Sequence, residues 1–287
     1  MFINLGPPEI GIRCSLEECI RLAQKTGFQG LDVDIYEARR LIEQRGEKSI
    51  RNLFVDSGIQ IGGWIWFDDF GFETDNETFG RYLKELPSLA RTAELIGASR
   101  VLSWMLPYSD ELNYEQNFEL HVNRIREAAK ILLEHGQKLA IEYIGPMTFR
   151  LGHTYPFIHD LSGAIELIET SGYQNVGLIM DSWHWYTSNA TVEDIQKLPG
   201  DLAVYVHLSD APANILVDQQ VDNIRCLPGS TRVIDNVAFL KALDEIGYNG
   251  PITAEPFSED INALPNEEAA QATATALNNL MKQAGLR

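Results

Sequence analysis

Four short apolar runs in the second half of the chain each end on an ionisable residue. The runs are rich in Val, Ile, Leu and Ala, and they reach Glu142 (KLAIE), Asp181 (VGLIMD), His207 (LAVYVH) and Glu255 (PITAE) at their carboxyl ends. A strand that is buried on both faces of a parallel sheet has this nearly continuous apolar character. Because an α/β barrel carries its catalytic groups at the C-terminal ends of its strands, the pattern predicts that these four side chains converge.

A second pattern recurs at three places along the chain. The segments KTGFQGLDVDI (25–35), TSGYQNVGLIM (170–180) and EIGYNGPITAE (245–255) share a helix end, a glycine, an aromatic residue and then a strand. Glycine suits the left-handed backbone position that follows a helix, and the aromatic residue can pack back on the last helical turn. The repeat therefore predicts the connection between helix and strand in a repeating strand–helix unit.

Eight candidate strands alternate with amphipathic stretches of helical spacing. Ser15 and Glu18 form a capping-box pattern at one helix start, and Asp235 precedes another. Alternating strands and helices predict a parallel sheet, and the count of eight predicts an α/β fold closed as a (β/α)8 TIM barrel. The candidate strands are 2–5, 30–35, 60–66, 100–105, 138–143, 176–181, 203–208 and 252–256.

The length of the chain fits one such barrel but does not by itself exclude two smaller domains. The 287 residues slightly exceed the roughly 250 of a typical barrel. No low-complexity tract or Ser/Pro-rich linker divides the sequence, so we expect a single domain over residues 1–287. Two segments are longer than a barrel needs, 143–160 and 209–235, and each directly follows one of the converging residues. Long segments of this kind are often functional lids, and we interpret them so.

Charge and cysteine content limit the classes of partner. The chain has 41 acidic and 23 basic side chains and a formal net charge of −18, which disfavours nucleic acid and anionic membrane surfaces. A small anionic substrate stays open, because a local Arg or a metal can reverse the field within a pocket. Without a targeting signal or a long apolar run, we expect a cytoplasmic protein. The expected state of Cys14, Cys19 and Cys226 is the reduced thiol.

Three carboxylates and one imidazole at neighbouring strand ends are a suitable ligand set for one divalent metal ion. Oxygen-rich ligation favours Mn²⁺ or Mg²⁺, whereas the single imidazole keeps Co²⁺ and Zn²⁺ open. An enolisation requires a Lewis acid on the substrate oxygens and a base for the carbon-bound proton. Glu142 and Glu255, on strands at opposite sides of a barrel, could act as that acid/base pair on the two faces of an enediolate.

Five short motifs surround these residues in the second half of the chain, namely IEY, MDSWHWYTS, VHLSDAP, IRCLPG and AEPF. Through these motifs the sequence resembles the sugar phosphate isomerase/epimerase family of xylose isomerase-like TIM barrels, which is related to ketose 3-epimerases, hydroxypyruvate isomerases and inosose dehydratases. The resemblance implies one metal held by Glu142, Asp181, His207 and Glu255. It also implies substrate contacts from His184 and Arg225. The residues at 230–232 depart from the family pattern, in which an acidic residue and a glycine follow the Pro-Gly.

Several of these residues also have structural interpretations. Trp66 and Trp104 could stack on a sugar ring, but large aromatic side chains are more often part of the core. His184 could pack among its aromatic neighbours, and Arg225 could pair with a surface acid. Asp210 could either cap a turn or orient His207.

The leading functional hypothesis is a metal-dependent isomerase or epimerase of a sugar or polyol, acting through an enediolate. The alternative is a dehydratase of the inosose or dehydroshikimate type, with His184 as the acid for the departing hydroxyl. An endonuclease is disfavoured by the charge and the scarcity of histidine at strand ends, and a non-catalytic binding protein is a fourth interpretation. We expect a small-molecule substrate and no nucleic acid or membrane partner. The sequence leaves a homo-oligomer open.

Overall fold

The structure, a computed structural model, describes residues 1–67 and 70–286. The predicted single-domain range of 1–287 also contains Asp68, Asp69 and Arg287, which lie outside the described residues. The strands are β1 Phe2–Leu5, β2 Gly30–Leu31, β3 Gln60–Ile61, β4 Trp64–Ile65, β5 Arg100–Met105, β6 Tyr108–Ser109, β7 Lys138–Tyr143, β8 Tyr155–Pro156, β9 Val176–Asp181, β10 Ala203–Leu208 and β11 Pro251–Ala254.

Helices connect the strands of the main sheet. The α-helices are α1 Leu16–Thr26, α2 Ile35–Arg45, α3 Glu47–Ser57, α4 Asn76–Ile96, α5 Tyr114–Glu134, α6 Met147–Arg150, α7 Leu161–Ser171, α8 Ser182–Thr187, α9 Val192–Gln196, α10 Asn236–Glu245, α11 Glu259–Asn262 and α12 Asn266–Ala284. Short 3₁₀ helices cover Pro8–Ile10, Gly71–Glu73 and Val217–Gln219. None of the helices in the described ranges has the length and hydrophobicity needed to cross a membrane.

The main sheet has nine parallel strands in the order β3-β2-β1-β11-β10-β9-β7-β5-β4. The sequence predicts eight continuous strands, and one of them, 60–66, is divided into the short strands β3 and β4. These two strands are the first and last in the sheet order, and only Gly62 and Gly63 separate them in the chain. The described strands therefore form a nine-stranded sheet instead of the predicted closed sheet of eight, and the predicted strand 30–35 is shortened to β2 because Ile35 begins α2.

Gly62 explains why the predicted third strand is interrupted. A Cβ atom at this position would lie 2.3 Å from Asn4 Oδ1 and 2.5 Å from Asp32 Oδ1. Polar side chains of β1 and of the residue after β2 therefore occupy the space that a side chain at 62 would need. The Gly62 N–H still donates to the Leu31 carbonyl at 3.0 Å, and the Val33 N–H donates to the Gly63 carbonyl at 3.0 Å.

The recurring glycine–aromatic pattern performs the structural role that its sequence predicts. Gly27, Gly172 and Gly247 have φ angles of 83°, 72° and 84°, in the left-handed region that glycine adopts without strain. They end α1 and α7 and follow α10, and each precedes the turn into the next strand. The predicted capping box at Ser15 and Glu18 is also formed.

Two separate apolar regions hold the strands in place. A large buried cluster lies between the strands and the surrounding helices, and it contains most of the core residues. A small cluster of Leu102, Ala140, Ile179, Val204 and Tyr205, with Ile65 packed against it, draws one or two residues from each of five different strands. Three of these strands, β7, β9 and β10, also carry Glu142, Asp181 and His207, so the small cluster packs between the strands that position three of the four converging side chains.

The prediction that Cys14 and Cys19 are reduced thiols is wrong. The structure joins them in a disulfide with a Cα–Cα distance of 5.8 Å. Cys14 immediately precedes the N-cap residue of α1 and Cys19 lies in its first turns, so helix formation brings the two sulfur atoms to the same end of the helix. Cys226 has a free thiol.

The two long segments contain short structured elements and touch each other. Segment 143–160 includes α6 and β8, and β8 pairs with β6. Segment 209–235 includes the 3₁₀ helix Val217–Gln219. The Thr148 hydroxyl donates to the Gln220 carbonyl at 2.7 Å, so the two segments are in direct contact beside the strand ends.

Asp210 organises the base of segment 209–235. Its carboxylate is fully buried and accepts hydrogen bonds from the backbone N–H groups of Ala211, Thr231, Arg232, Val233 and Ile234. Its backbone also pairs with that of Cys226. Of the two interpretations of Asp210 in the sequence, the contacts support the turn cap.

We expect Asp210→Asn to lower the free energy of unfolding by about 2–4 kcal/mol, because a neutral amide has one acceptor oxygen for the five N–H groups and turns an NH₂ group toward them. Urea unfolding monitored by circular dichroism would measure this. Asp235→Asn is the matched control, since Asp235 accepts one bond as the N-cap of α10 and Asn is an equally good cap. Equal stability of the two variants would contradict this account of segment 209–235.

Candidate metal centre and substrate cavity

Strand register brings the four predicted residues together. Glu142 lies near the end of β7, Asp181 ends β9, His207 lies near the end of β10, and Glu255 directly follows β11. His207 is the register partner of Asp181, so the two side chains point to the same side of the sheet. One ligand atom from each of the four residues lies within 4.8 Å of the other three, and all four residues are buried.

His207 is the centre of this cluster. Its Nδ1 lies 2.9 Å from Glu142 Oε1 and 3.6 Å from Glu255 Oε1. Burial alone would lower the pKa of His207, but the charges of Glu255 and Glu142 raise it well above its ordinary value. Burial, followed by the charge of Glu255, raises the pKa of Glu142 to about 8. The imidazole therefore supplies positive charge between two carboxyl groups of the cluster.

Arg225 supplies a second positive charge from segment 209–235. Its Nη1 lies 2.8 Å from Asp181 Oδ2 and 2.6 Å from Glu255 Oε2. Asp222 positions the guanidinium, because its Oδ1 accepts from Nη2 at 3.0 Å and its carbonyl accepts from Nε at 2.9 Å. Sequence reasoning missed Asp222; the only signal was an acid three residues before Arg225.

His184 lies next to Asp181 in a defined protonation state. The Gly145 N–H donates to His184 Nδ1 at 3.1 Å, so the neutral ring carries its proton on Nε2. That Nε2 lies 3.5 Å from Asp181 Oδ2. Burial lowers the pKa of His184 to about 3. The ring is thus a neutral hydrogen-bond donor at the edge of the cluster.

A cavity of about 430 Å³ opens beside the cluster, with His207 and Glu255 in its wall. It extends toward the segments that follow β1 and β2, and its volume is within the usual range of small-molecule sites. Trp104 lines this cavity, and it is the register partner of Glu142. The wall also contains the Cys14–Cys19 disulfide.

Trp66 lies in an aromatic part of the core. It is 2% exposed, and it stacks on Phe67 with a ring-centroid distance of 4.0 Å and meets Phe72 edge-on at 6.1 Å. The lining of the cavity does not include it. These contacts favour the core interpretation of Trp66, and its contact with substrate stays a prediction.

Two carboxyl groups in the cavity wall were missed in the sequence, Glu9 and Asp32. Burial, then the charge of Glu255, raises the pKa of Glu9 to about 8. Burial raises the pKa of Asp32 to about 6, against a hydrogen bond that its Oδ2 accepts from the Tyr205 hydroxyl at 2.5 Å. Asp32 directly follows β2, so the strand-end pattern could have identified it. Glu9 lies in a 3₁₀ helix and gives no such signal.

The chemistry and spacing of the cluster fit a divalent cation. Three carboxylates and one imidazole nitrogen are donors that Mn²⁺, Mg²⁺, Co²⁺ and Zn²⁺ accept in proteins. Mutual distances within 4.8 Å agree with ligand atoms about 2.0–2.3 Å from one central ion. Three carboxylates buried this closely also need positive charge near them.

A parallel α/β sheet that carries such a cluster at its C-terminal strand ends defines a class of barrel proteins. The model of the xylose isomerase-like TIM barrel family matches residues 20–280. The chain belongs to this family, which confirms the resemblance seen in the sequence.

Its relatives are enzymes with related chemistry. The chain is 26% identical over 200 residues to the inosose isomerase of Bacillus subtilis, covering 69% of this chain and 68% of that protein. It is 28% identical over 285 residues to the 3-dehydroshikimate dehydratase of Pseudomonas putida, covering 97% of this chain but only 42% of that relative. The crystal structure of the IolI protein with a bound zinc atom has a TM-score of 0.82 and 20% identity, with 99% of both chains covered.

The raised pKa of Asp32 predicts a pH-dependent stability effect. A carboxyl group whose pKa rises from 3.8 to about 6 on folding contributes stability that is fully present below pH 4 and is lost as the pH rises through 6. Asn cannot ionise, so we expect Asp32→Asn to stabilise the metal-free protein by about 1–3 kcal/mol more at pH 7 than at pH 4. Urea unfolding at both pH values would measure this.

The matched control for this prediction is Asp56→Asn, on an exposed position of α3, which should have the same small effect at both pH values. An equal effect of Asp32→Asn at pH 4 and pH 7 would contradict the prediction.

Proposed function

We propose that this protein is a divalent-metal-dependent isomerase or epimerase of a sugar or polyol, folded as one barrel domain over residues 1–287, and that it acts through an enediolate. The observation that carries the proposal is the convergence of Glu142, Asp181, His207 and Glu255 within 4.8 Å in a buried position. Relatives that isomerise an inosose or dehydrate 3-dehydroshikimate support a substrate with a carbonyl group beside a carbon-bound proton.

The same four residues would hold the metal ion. His207 would bind it through Nδ1, the atom that already faces Glu142 and Glu255. Three oxygen donors favour Mn²⁺ over the other candidates, while the zinc atom in the IolI structure supports a site of this kind for a divalent ion. When bound, the ion would supply a Lewis acid that stabilises negative charge on the substrate oxygens.

Glu142 and Glu255 would transfer the proton. Their strands, β7 and β11, are separated in the sheet by β9 and β10, so the two carboxylates approach the centre from different directions. One, as a carboxylate, removes the carbon-bound proton from one face of the substrate, and the other, in its protonated form, delivers its own proton from the opposite face. Each such transfer by a positioned base contributes roughly 10²–10⁴-fold to the rate.

Arg225 and His184 would bind the oxygens of the substrate. The Arg225 guanidinium is held at the cluster by Asp222, and a fixed positive charge at that place stabilises a developing enediolate. The His184 Nε2–H, next to Asp181, can donate to a hydroxyl group. Trp104 would contact the carbon skeleton from the cavity wall.

A dehydratase is the second candidate, and the state of His184 favours it. A departing hydroxyl group is stabilised by a hydrogen-bond donor, and the Gly145 N–H leaves the His184 proton on Nε2, where it faces the cluster, while the carboxyl group that has taken the carbon-bound proton supplies the proton itself. The similarity to 3-dehydroshikimate dehydratase over 97% of this chain supports the same candidate. Enolisation is shared by both reactions, so only the product distinguishes them.

Incubation of the Mn²⁺-loaded protein with ketoses, an inosose and 3-dehydroshikimate in deuterated water would test both candidates. NMR would report deuterium incorporation and product identity together. Exchange with an isomerised or epimerised product supports the first candidate, and loss of water supports the second. Absence of exchange and of product with every compound would contradict enolisation at this site.

We expect the reconstituted protein to hold about one divalent ion per chain, and His207→Ala or Asp181→Ala to lose it, because each removes one of four donors from a compact set. Elemental analysis after Mn²⁺ loading and desalting would measure the stoichiometry. His135→Ala, at the C-cap of α5 and before the N-terminal end of β7, the end opposite Glu142, is the control and should retain the ion. A folded wild-type protein without bound metal would exclude the proposed centre.

We expect Glu142→Gln and Glu255→Gln each to lower kcat by at least about 100-fold with a small change in KM, because Gln keeps an oxygen donor but cannot accept a proton. Steady-state kinetics and the rate of deuterium incorporation would measure the effect. Glu134→Gln, at the exposed end of α5, is the charge-matched control. An effect confined to KM would assign these residues to binding alone.

A further inference from the structure

Glu9 is a carboxyl group in the cavity wall that the proposed reaction does not use. It follows β1 by four residues, in the 3₁₀ helix Pro8–Ile10, and it lines the same cavity as His207 and Glu255. Among the described residues, no hydrogen bond or ion pair to its side chain is formed. Its oxygens are therefore available to a molecule in the cavity.

The neighbouring acids in this part of the wall are already engaged. Asp34 caps α2 by accepting from the N–H groups of Tyr36 and Glu37. The Glu37 carboxylate accepts from the Leu16 N–H. Asp32 accepts from the Tyr205 hydroxyl. Glu9 is thus the carboxyl group of this wall whose two oxygens have no partner among the described residues, and a carboxyl group, ionised or protonated, forms hydrogen bonds with hydroxyl groups.

The remaining wall is largely apolar. Its side chains include Ile12, Ile65, Leu102, Trp104 and Ile179. The cavity thus combines an apolar surface with the Glu9 carboxyl group, which has no partner among the described residues. This combination matches a molecule that has both C–H faces and hydroxyl groups, as a polyol does. Hydroxyl groups would donate to Glu9 while the carbon skeleton lies against the apolar side chains.

The charges around the cavity disfavour an anion. Eight carboxyl groups lie in the cluster, beside it or in the lining of the cavity, namely Glu9, Asp32, Asp34, Glu37, Glu142, Asp181, Asp222 and Glu255. They face one buried guanidinium, Arg225. If all are ionised, this guanidinium and a divalent ion on the quartet still leave a formal excess of five negative charges. The other arginine of the wall, Arg13, is exposed, where its charge is screened by solvent.

We propose that Glu9 is a specificity-determining residue that binds hydroxyl groups of an uncharged polyhydroxy ketone, and that the cavity discriminates against carboxylated or phosphorylated substrates. This inference rests on the proposed function, since it takes the metal centre as the place where the substrate carbonyl binds. A buried anionic group near unpaired carboxylates loses its hydration and gains repulsion. A neutral hydroxyl group gains a hydrogen bond with the Glu9 carboxyl group at the same position.

Calorimetric titration of the Mn²⁺-loaded protein with matched pairs of compounds tests the inference. One pair is D-psicose and its 6-phosphate, and the other is an inosose and 3-dehydroshikimate. We expect each neutral compound to bind at least tenfold more tightly than its anionic counterpart. Glu9→Gln should weaken binding of the neutral compounds about tenfold and reduce their advantage over the anions, with unchanged metal content and circular dichroism.

Glu47→Gln, an exposed change of the same charge in the first turn of α3, should leave every affinity unchanged. Equal or tighter binding of the anions by the wild type, an unchanged preference in Glu9→Gln, or failure of the neutral compounds to bind would each overturn the inference. Deuterium exchange is measured separately. Glu9-dependent binding without exchange would contradict the proposed reaction and not the role of Glu9.

Discussion

Repulsion among buried carboxylates is the interaction on which much of this molecule depends. Glu142, Asp181 and Glu255 have ligand atoms within 4.8 Å of one another and are shielded from water, an arrangement that is strongly unfavourable without compensating positive charge. His207 and Arg225 supply that charge from inside the protein. Arg225 belongs to a segment outside the barrel strands, so the electrostatics of the strand ends also determine where segment 209–235 lies.

That segment is held at two points for two different reasons. The buried Asp210 carboxylate collects backbone N–H groups at its base, and the pairing of Asp210 with Cys226 places the adjacent Arg225 over the cluster. Asp222 then orients the guanidinium through two hydrogen bonds. The contact of Thr148 with Gln220 extends this order to segment 143–160. Both segments are therefore anchored beside the centre.

The sequence was sufficient for the features that follow from strand periodicity, and insufficient for those that depend on loop conformation. Glu142, Asp181 and His207 were identifiable because each ends a buried apolar run, and parallel strands end at one face. Glu9 and Asp222 lie in irregular segments, where no periodicity indicates the direction of a side chain. Their positions depend on contacts distant in sequence.

Trp104 and Trp66 lie in different surroundings because β5 is a regular strand and β4 is a short one. Trp104 lies in the regular strand β5 and, as the register partner of Glu142, lines the cavity. Trp66 follows β4, in which Ile65 packs on the interior cluster, so alternation directs Trp66 into the outer core. The interruption at Gly62, caused by the side chains of Asn4 and Asp32, could not be read from a segment that looks like one continuous strand. The disulfide between Cys14 and Cys19 was missed for a similar reason, since a five-residue spacing has meaning only once α1 is formed.

Two stretches of the chain supply different parts of the candidate site. The four candidate ligands lie between residues 142 and 255, whereas Glu9, Ile12, Asp32 and Trp104 of the cavity wall come from the first 104 residues. The two stretches meet where β1 pairs with β11, and the Tyr205 hydroxyl of the second stretch donates to Asp32 of the first. Substitutions in the first stretch that keep these contacts can alter which molecules the cavity admits while the four candidate ligands stay unchanged. Changes confined to the part of the gene that encodes the first stretch would then give members of this family different substrates.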